Sequence, residues 1–96
     1  MKKLPDLSEI AKIGNVLSDE TRLKILYILG KRKLSGMEIL RQVTVTQSTL
    51  SYHLRMMVEA KILNIEYVWK YSYYTINAEG LAASIKAFRV LNEVTK

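Results

Sequence analysis

The chain has 96 residues, of which 49% are hydrophobic and 25% are charged, a composition typical of one small globular domain. It contains no cysteine, which excludes disulfides, thiolate metal sites and thiol redox switches. Its formal net charge of +6 favours a polyanionic partner, such as nucleic acid or an anionic membrane surface.

No segment approaches the roughly 18 consecutive apolar residues of a membrane span. The first ten residues, MKKLPDLSEI, also lack the apolar run of a signal peptide. We therefore expect a cytoplasmic protein without a membrane partner. Because a chain of this size buries only about 60 to 70% of its unfolded surface, a dimer interface is a natural source of further stability.

Helical periodicity begins close to the amino terminus. Ile10, Ile13 and Leu17 recur at helical spacing after Pro5, a residue that suits a helix entry. This pattern predicts a first helix over residues 8–17.

A second helix is predicted from Ser18, as its cap, to the terminating Gly30. Its segment RLKILYIL is apolar on most faces, so we expect it to be the central buried helix. The cluster GKRK at its end is the longest cationic run, and it is either a solvated turn or a phosphate-contacting site.

The next segment carries the signals of two short helices joined by a tight turn. SGME forms a capping box, with Ser35 at the cap and Glu38 three residues later, and opens a helix that ends near Val43. The residues TVT follow, and Thr46 caps another helix. This spacing predicts a helix-turn-helix over residues 35–60.

Residues 62–76 are rich in β-branched and aromatic residues and lack helical periodicity, which predicts a hairpin that turns near residues 68–70. Asn77 then caps a final helix over residues 78–94, which has one apolar stripe. The stripe consists of Leu81, Ile85, Phe88 and Leu91. We expect a single domain over residues 1–96, mainly α with a small β-hairpin, in the order α-α-α-α-β-β-α.

The predicted helix that starts at Gln47 has two different faces. Leu50, Leu54 and Met57 fall on one face, where they anchor the helix. The other face carries Gln47, Ser48, Ser51, Tyr52 and Arg55. Between residues 47 and 58 there is no acidic residue to repel a phosphate backbone, which favours DNA reading over a merely solvated surface.

Three segments in this order and spacing resemble the ArsR family of bacterial and archaeal winged helix-turn-helix repressors. They are LSDETRLKILYIL, TQSTLSYHLRMMVEAKIL and YYTI, and the resemblance covers residues 16–77. It implies that the helix starting at Gln47 is the recognition helix and that residues 62–76 form the wing. It also implies a homodimer built by the terminal helices.

The resemblance further implies which residues contact double-stranded DNA. They are Gln47, Ser48, Thr49, Ser51, Tyr52, His53 and, at a phosphate, Arg55. For two of them an alternative stays open: Thr49 can close the helix cap instead, and His53 can pack or bond a backbone group. The expected dimer interface consists of Ile10, Ile13, Leu81, Ile85, Phe88 and Leu91.

The predicted wing departs from the family pattern. Where relatives usually have basic residues followed by a glycine, this chain has EYVWK over residues 66–70, so its electrostatic hold on the minor groove should be weaker. Lys70 can still meet a phosphate. Trp69, at the tip, can either touch the sugar edge or fold back onto the sheet, and we favour the second. Five of the six tyrosines lie between Tyr52 and Tyr74 and could form a platform that stacks single-stranded nucleic acid, but we favour Tyr71 and Tyr73 as half-buried strand residues.

Metal sensing, which is common in the family, is not expected here. The third-helix segment LSGMEIL and the last-helix Glu79 and Glu93 do not supply the ligands that a transition metal needs. We therefore predict no metal site and no cofactor, and the effector is left unknown.

We favour a homodimeric, sequence-specific repressor that binds a palindromic operator. The alternative is a winged-helix protein-interaction module, or an antirepressor-like partner without an operator of its own. An enzyme is not expected, because the sequence has no glycine-rich phosphate loop and no nucleophile beside a positioned base.

Overall fold

The computed structural model describes residues 6–94. Pro5, predicted at the entry of the first helix, lies outside the described residues. The elements in chain order are α1 (Leu7–Leu17), α2 (Glu20–Leu29), β1 (Leu34–Ser35), α3 (Gly36–Leu40), α4 (Gln47–Glu59), β2 (Leu63–Val68), β3 (Tyr71–Ile76) and α5 (Ala78–Val94). The predicted order therefore holds, with one short strand added between α2 and α3.

Helix α2 begins later than the sequence predicted, because Asp19 rather than Ser18 is its cap. The Asp19 carboxylate accepts a hydrogen bond of 3.1 Å from the backbone N–H of Arg22, whereas the Ser18 hydroxyl donates to the carbonyl of Asn15 at 3.0 Å. The bond from the Arg22 N–H lowers the pKa of Asp19. The cap is therefore complete at neutral pH, and its contribution is lost as the pH falls through that lowered pKa.

Helix α2 is buried along one side only, so the prediction of a central buried helix holds for that side alone. Ile25, Ile28 and Leu29 are buried, but Tyr27 is 88% exposed and Leu23 is 49% exposed. A domain this small has only one layer against which α2 can pack, and the opposite side of the helix stays in solvent.

The hydrophobic core lies where α2, α3 and α4 meet the sheet. Its most deeply buried side chains are those of Ile25, Leu29, Ile39, Met57, Ile62 and Leu63. Leu50, Leu54 and Met57 are at most 3% exposed, which confirms the predicted anchoring face of α4.

The predicted capping box at the start of α3 is confirmed by two reciprocal bonds. The Glu38 N–H donates to the Ser35 hydroxyl at 3.1 Å, and the Ser35 N–H donates to the Glu38 carboxylate at 2.9 Å. Helix α3 ends at Leu40, which is earlier than the predicted end near Val43. Val43 is nevertheless buried, so the turn itself contributes an apolar side chain to the core.

The predicted hairpin is confirmed, with Trp69 and Lys70 as its turn. Within residues 6–94, β1 also pairs with β3, through Leu34 opposite Tyr74, and the antiparallel sheet has the order β1-β3-β2. The two-residue β1 was missed because so short a strand has no periodicity to recognise.

Helix α5 starts at the predicted cap, since the Asn77 side chain accepts a hydrogen bond of 3.0 Å from the Gly80 N–H. It then packs against α1, where the Phe88 ring lies 3.3 Å from the place that a Cβ on Gly14 would occupy. Within residues 6–94, none of the helices is long and apolar enough to cross a membrane.

The cap of α4 rests on Thr46, as predicted. Its hydroxyl accepts a hydrogen bond of 3.2 Å from the Thr49 N–H. We expect Thr46→Ala to lower the free energy of unfolding by about 1 kcal/mol, measured by urea denaturation, because an N–H of the first turn loses its partner. Thr44→Ala, at an exposed turn position, serves as the control. Equal stability of the two variants would show that the cap contributes nothing.

Candidate nucleic-acid interface

The outer face of α4 presents polar side chains to solvent. Gln47, Ser48, Thr49, Ser51, Tyr52 and Arg55 are all exposed. Because Leu50, Leu54 and Met57 hold the opposite face in the core, the outer face is available for binding. The structure therefore brings together six of the residues to which the sequence assigned DNA contact.

Hydroxyl groups cluster at the amino end of this face. The Thr46 hydroxyl donates to the Thr49 hydroxyl at 2.9 Å and lies 3.3 Å from that of Ser48. Thr49 thus belongs to the cap and is exposed at the same time. Since its hydroxyl accepts from Thr46, it keeps its own hydrogen for another acceptor, such as a phosphate oxygen.

The cation on this face is accompanied by an aromatic ring. The guanidinium carbon of Arg55 lies 6.0 Å from the centroid of the Tyr52 ring, and Tyr52 is 47% exposed. A guanidinium at this distance is attracted by the ring, which restricts its orientation while its N–H groups stay accessible.

A groove lies between α4 and the wing, and Lys70 borders it opposite the outer face of α4. Gln47 and Ser51 lie on one side of it, and Lys70, Tyr71 and Ser72 lie on the other. Residues that are far apart in the sequence therefore border the same groove.

The wing tip is exposed, so the prediction that Trp69 folds back onto the sheet was wrong. Trp69 is 85% exposed and adopts φ of 58°, as part of a turn that lies beyond the buried part of the sheet. Its ring meets the Tyr71 ring edge-on at 6.3 Å, and Lys70 Nζ lies 4.8 Å from its centroid. Tyr71 is also exposed, at 45%, whereas Tyr73 is half-buried as predicted.

Two cations of the GKRK cluster have partners within the chain. Arg32 donates to the carbonyl of Ile28 at the end of α2. Lys33 forms an ion pair with Glu66 on β2. This ion pair offsets the negative charge of the wing at Glu66.

His53 is not on the outer face. It is 8% exposed, and its Nδ1 accepts a hydrogen bond of 3.0 Å from Nε of Arg22. This position agrees with the alternative in which His53 packs inside the domain. Its hydrogen-bond partner is a side chain, however, and not the backbone group of that alternative. The role of Arg22 was not predicted from the sequence, where nothing distinguishes it from Lys24, the other cation of α2.

The predicted dimer residues differ in how far they are exposed. Ile10 is 8% exposed, and Leu81 packs against the core of its own protomer. Ile85 is 53% exposed and Phe88 is 39% exposed. Ile13 and Leu91 are half-buried.

The acidic side chains and the single histidine form no metal site in the part of the chain that the structure describes. Among the described residues, no three of them lie close enough together to hold a metal ion. Glu79 is exposed at the start of α5, and the Glu93 side chain lies outside the described part of the chain.

The chain is similar to known regulatory proteins. Residues 19–64 match the arsR family of bacterial regulatory proteins. Over 64 residues the chain is 39% identical to the arsenical resistance operon repressor of Bacillus subtilis (strain 168), a match that covers 66% of this chain and 61% of that repressor, less than two thirds of its length. Over 88 residues it is 31% identical to the cadmium resistance transcriptional regulatory protein CadC homolog of Staphylococcus aureus, covering 90% of this chain and 73% of the relative.

The fold is shared with a solved structure, the homodimeric winged helix-turn-helix DNA-binding domain Mb0332 of Mycobacterium bovis, described as a possible ArsR-family transcriptional regulator. The TM-score is 0.71 at 21% identity, over 97% of this chain and 91% of that domain. The predicted winged helix-turn-helix fold is thereby confirmed. The sequence match to the cadmium resistance regulator homolog, at 31% identity over 73% of that relative, shows together with the family match over residues 19–64 that the chain belongs to the arsR family of bacterial regulatory proteins.

Proposed function

We propose that this arsR-family protein is a homodimeric repressor that reads a palindromic operator in the cytoplasm. Each protomer inserts α4 into a major groove, with half-sites about 34 Å apart. The observation that carries this proposal is the outer face of α4, which is exposed, rich in short hydrogen-bonding groups and free of acidic residues from 47 to 58. Its phosphate contacts require such a face, since a carboxylate there would repel DNA.

The proposed contacts divide into two kinds. Gln47, Ser48 and Ser51 reach base edges, because short hydroxyl and amide groups suit close approach in the major groove. Thr49 and Arg55 bind phosphates beside them. The two other members of the surface are Tyr52, whose ring lies beside the Arg55 guanidinium, and Lys70, which reaches a phosphate from across the groove.

The proposed dimer forms through α1 and α5. Ile85 and Phe88 leave apolar surface exposed on α5 that a second protomer would cover. The radius of gyration is 15.1 Å, compared with about 12.5 Å for a compact chain of this length. The extended shape and the exposed apolar residues both support association.

The wing tip supports a second candidate function, a protein-interaction module. Tyr67, Trp69 and Tyr71 are exposed together, and aromatic residues are enriched in protein interfaces. In this role, a partner protein would contact the tip without any need for an operator.

Selection of bound sequences from a random duplex library tests the proposal. We expect an imperfect palindrome, bound with an affinity that falls steeply as salt rises. Equal affinity for a scrambled duplex would overturn the proposal of sequence-specific binding. Failure to bind any duplex at low salt would overturn DNA binding itself and favour the protein-interaction module. Analytical ultracentrifugation of the free protein is expected to show a dimer, and a monomer at micromolar concentration would contradict the proposed assembly.

A further inference from the structure

A buried cation connects three helices. Arg22, on α2, is 6% exposed. Its Nε donates to Nδ1 of His53 on α4 at 3.0 Å, and its Nη1 donates to the carbonyls of Asn15 and Val16 on α1 at 2.9 and 3.3 Å. One side chain thus joins the carboxyl-terminal turn of α1 to the middle of α4.

The buried guanidinium of Arg22 finds hydrogen-bond acceptors on both α1 and α4. A buried guanidinium is costly unless its N–H groups find acceptors. The carbonyls at the end of α1 are such acceptors, because they lack partners within the helix and lie at the negative end of its dipole. Since the guanidinium can only donate, Nδ1 of His53 accepts through its lone pair, and the hydrogen of the neutral ring is on Nε2.

The hydrogen bond between Arg22 and His53 gives α4 a directional constraint that its apolar anchors do not provide. Leu50, Leu54 and Met57 hold the helix on the core through contacts that have little directional preference. A hydrogen bond is directional, so it restricts rotation and sliding of α4 about its own axis. Because the Nη1 group of the same guanidinium bonds the carbonyls of α1, Arg22 relates the outer face of α4 to a helix of the proposed dimer interface.

We propose that Arg22 is a positioning residue for DNA reading. Through His53 it sets the rotation and axial position of α4 relative to α1, so that the two α4 helices of a dimer meet successive half-sites together. This inference rests on the proposed operator-reading function. It assigns a role to two buried residues that lie behind the outer face of α4.

The central test replaces both partners together. Each single apolar substitution leaves the other side chain of the Arg22–His53 pair unpaired. Arg22→Met with His53→Leu keeps apolar volume and removes both side chains of the pair, so that only the carbonyls of Asn15 and Val16 lose a donor. We expect this double variant to fold and dimerise, with about 10-fold or more weaker binding to the operator selected from the random library. Its affinity for a scrambled duplex is expected to stay within about twofold, since phosphate contacts depend less on helix register.

Two results of this test would overturn the proposal. One is operator affinity equal to that of the unsubstituted protein. The other is an equal loss on operator and scrambled duplex, which would indicate general damage. His53→Asn is the conservative variant that should restore operator binding, because its amide oxygen can replace Nδ1 as the acceptor of the hydrogen bond from Arg22. Its operator affinity is expected within about threefold of the unsubstituted protein, and binding as weak as that of His53→Leu would also contradict the proposal.

A measurement without DNA separates this inference from the proposed function. His53 is the only histidine of the chain, so its imidazole nitrogens give an unambiguous nitrogen-15 spectrum. We expect hydrogen on Nε2 and an accepting Nδ1, with a changed Nδ1 signal in Arg22→Met. Hydrogen on Nδ1, or a signal that Arg22→Met leaves unchanged, would overturn the inference. If the protein binds no duplex while the expected spectrum is seen, the proposed function fails and the positioning role for DNA fails with it, but the bond itself stands.

Discussion

Replacing Arg55 by Glu is expected to weaken operator binding by roughly 100-fold or more, because a phosphate contact becomes a repulsion in both protomers. Arg55 is exposed on the outer face of α4, so the substitution should leave folding unchanged. Titration of the selected operator at several salt concentrations measures the effect. The logarithmic salt dependence should also become shallower, by about 2 for two lost phosphate contacts per dimer.

Lys24→Glu is the matched control for this substitution. Lys24 is exposed on α2, and the exchange makes the same change of charge away from the outer face of α4. We expect it to lower affinity by no more than a few-fold, through the net charge alone. If the two variants bind equally well, Arg55 makes no phosphate contact and α4 does not present this face to DNA.

Gly80→Ala is expected to destabilise the protein by at least about 3 kcal/mol, because the new methyl group has no room. A Cβ at this position would lie 1.7 Å from the carbonyl oxygen of Lys61. That oxygen belongs to the backbone of the turn after α4, so a side-chain movement cannot relieve the overlap. The melting temperature should fall by more than about 10 °C, as measured by circular dichroism.

Gly36→Ala is the control, since both substitutions add one methyl group in the first turns of a helix. At Gly36 the nearest atom to the new methyl group would be Cε2 of Tyr74 at 3.8 Å, an ordinary contact. We expect its stability to change by no more than about 0.5 kcal/mol. A melting temperature for Gly80→Ala that matches this control would mean that α5 does not cross the turn as closely as described.

Local chemistry made the elements around α4 predictable. The capping box at Ser35 and the cap at Thr46 are complete within a few residues, and both formed as predicted. The helical period of Leu50, Leu54 and Met57 identified the buried face of α4, and with it the exposed one. These signals act over one or two turns of chain, so they do not depend on distant residues.

Other features depend on groups that are distant in sequence. Trp69 was expected against the sheet, but its position was decided by where the buried part of the sheet ends. His53 is buried and accepts a hydrogen bond from Arg22, 31 residues earlier in the chain. Helix α2 looked apolar on most faces, yet only one of its sides finds a layer to pack against.

By itself, the sequence determined the order of the helices, the hairpin, the polar face of α4 and the family to which the chain belongs. Periodicity, capping and residue type depend on residues that are close together in the sequence, so they can be recognised without the tertiary structure. Only the tertiary structure decided that Lys70 borders the same groove as Ser51 and that Gly80 passes against Lys61. It also decided that a buried Arg22 ties α1 to α4, because directional bonds and close approaches exist only once distant elements have packed.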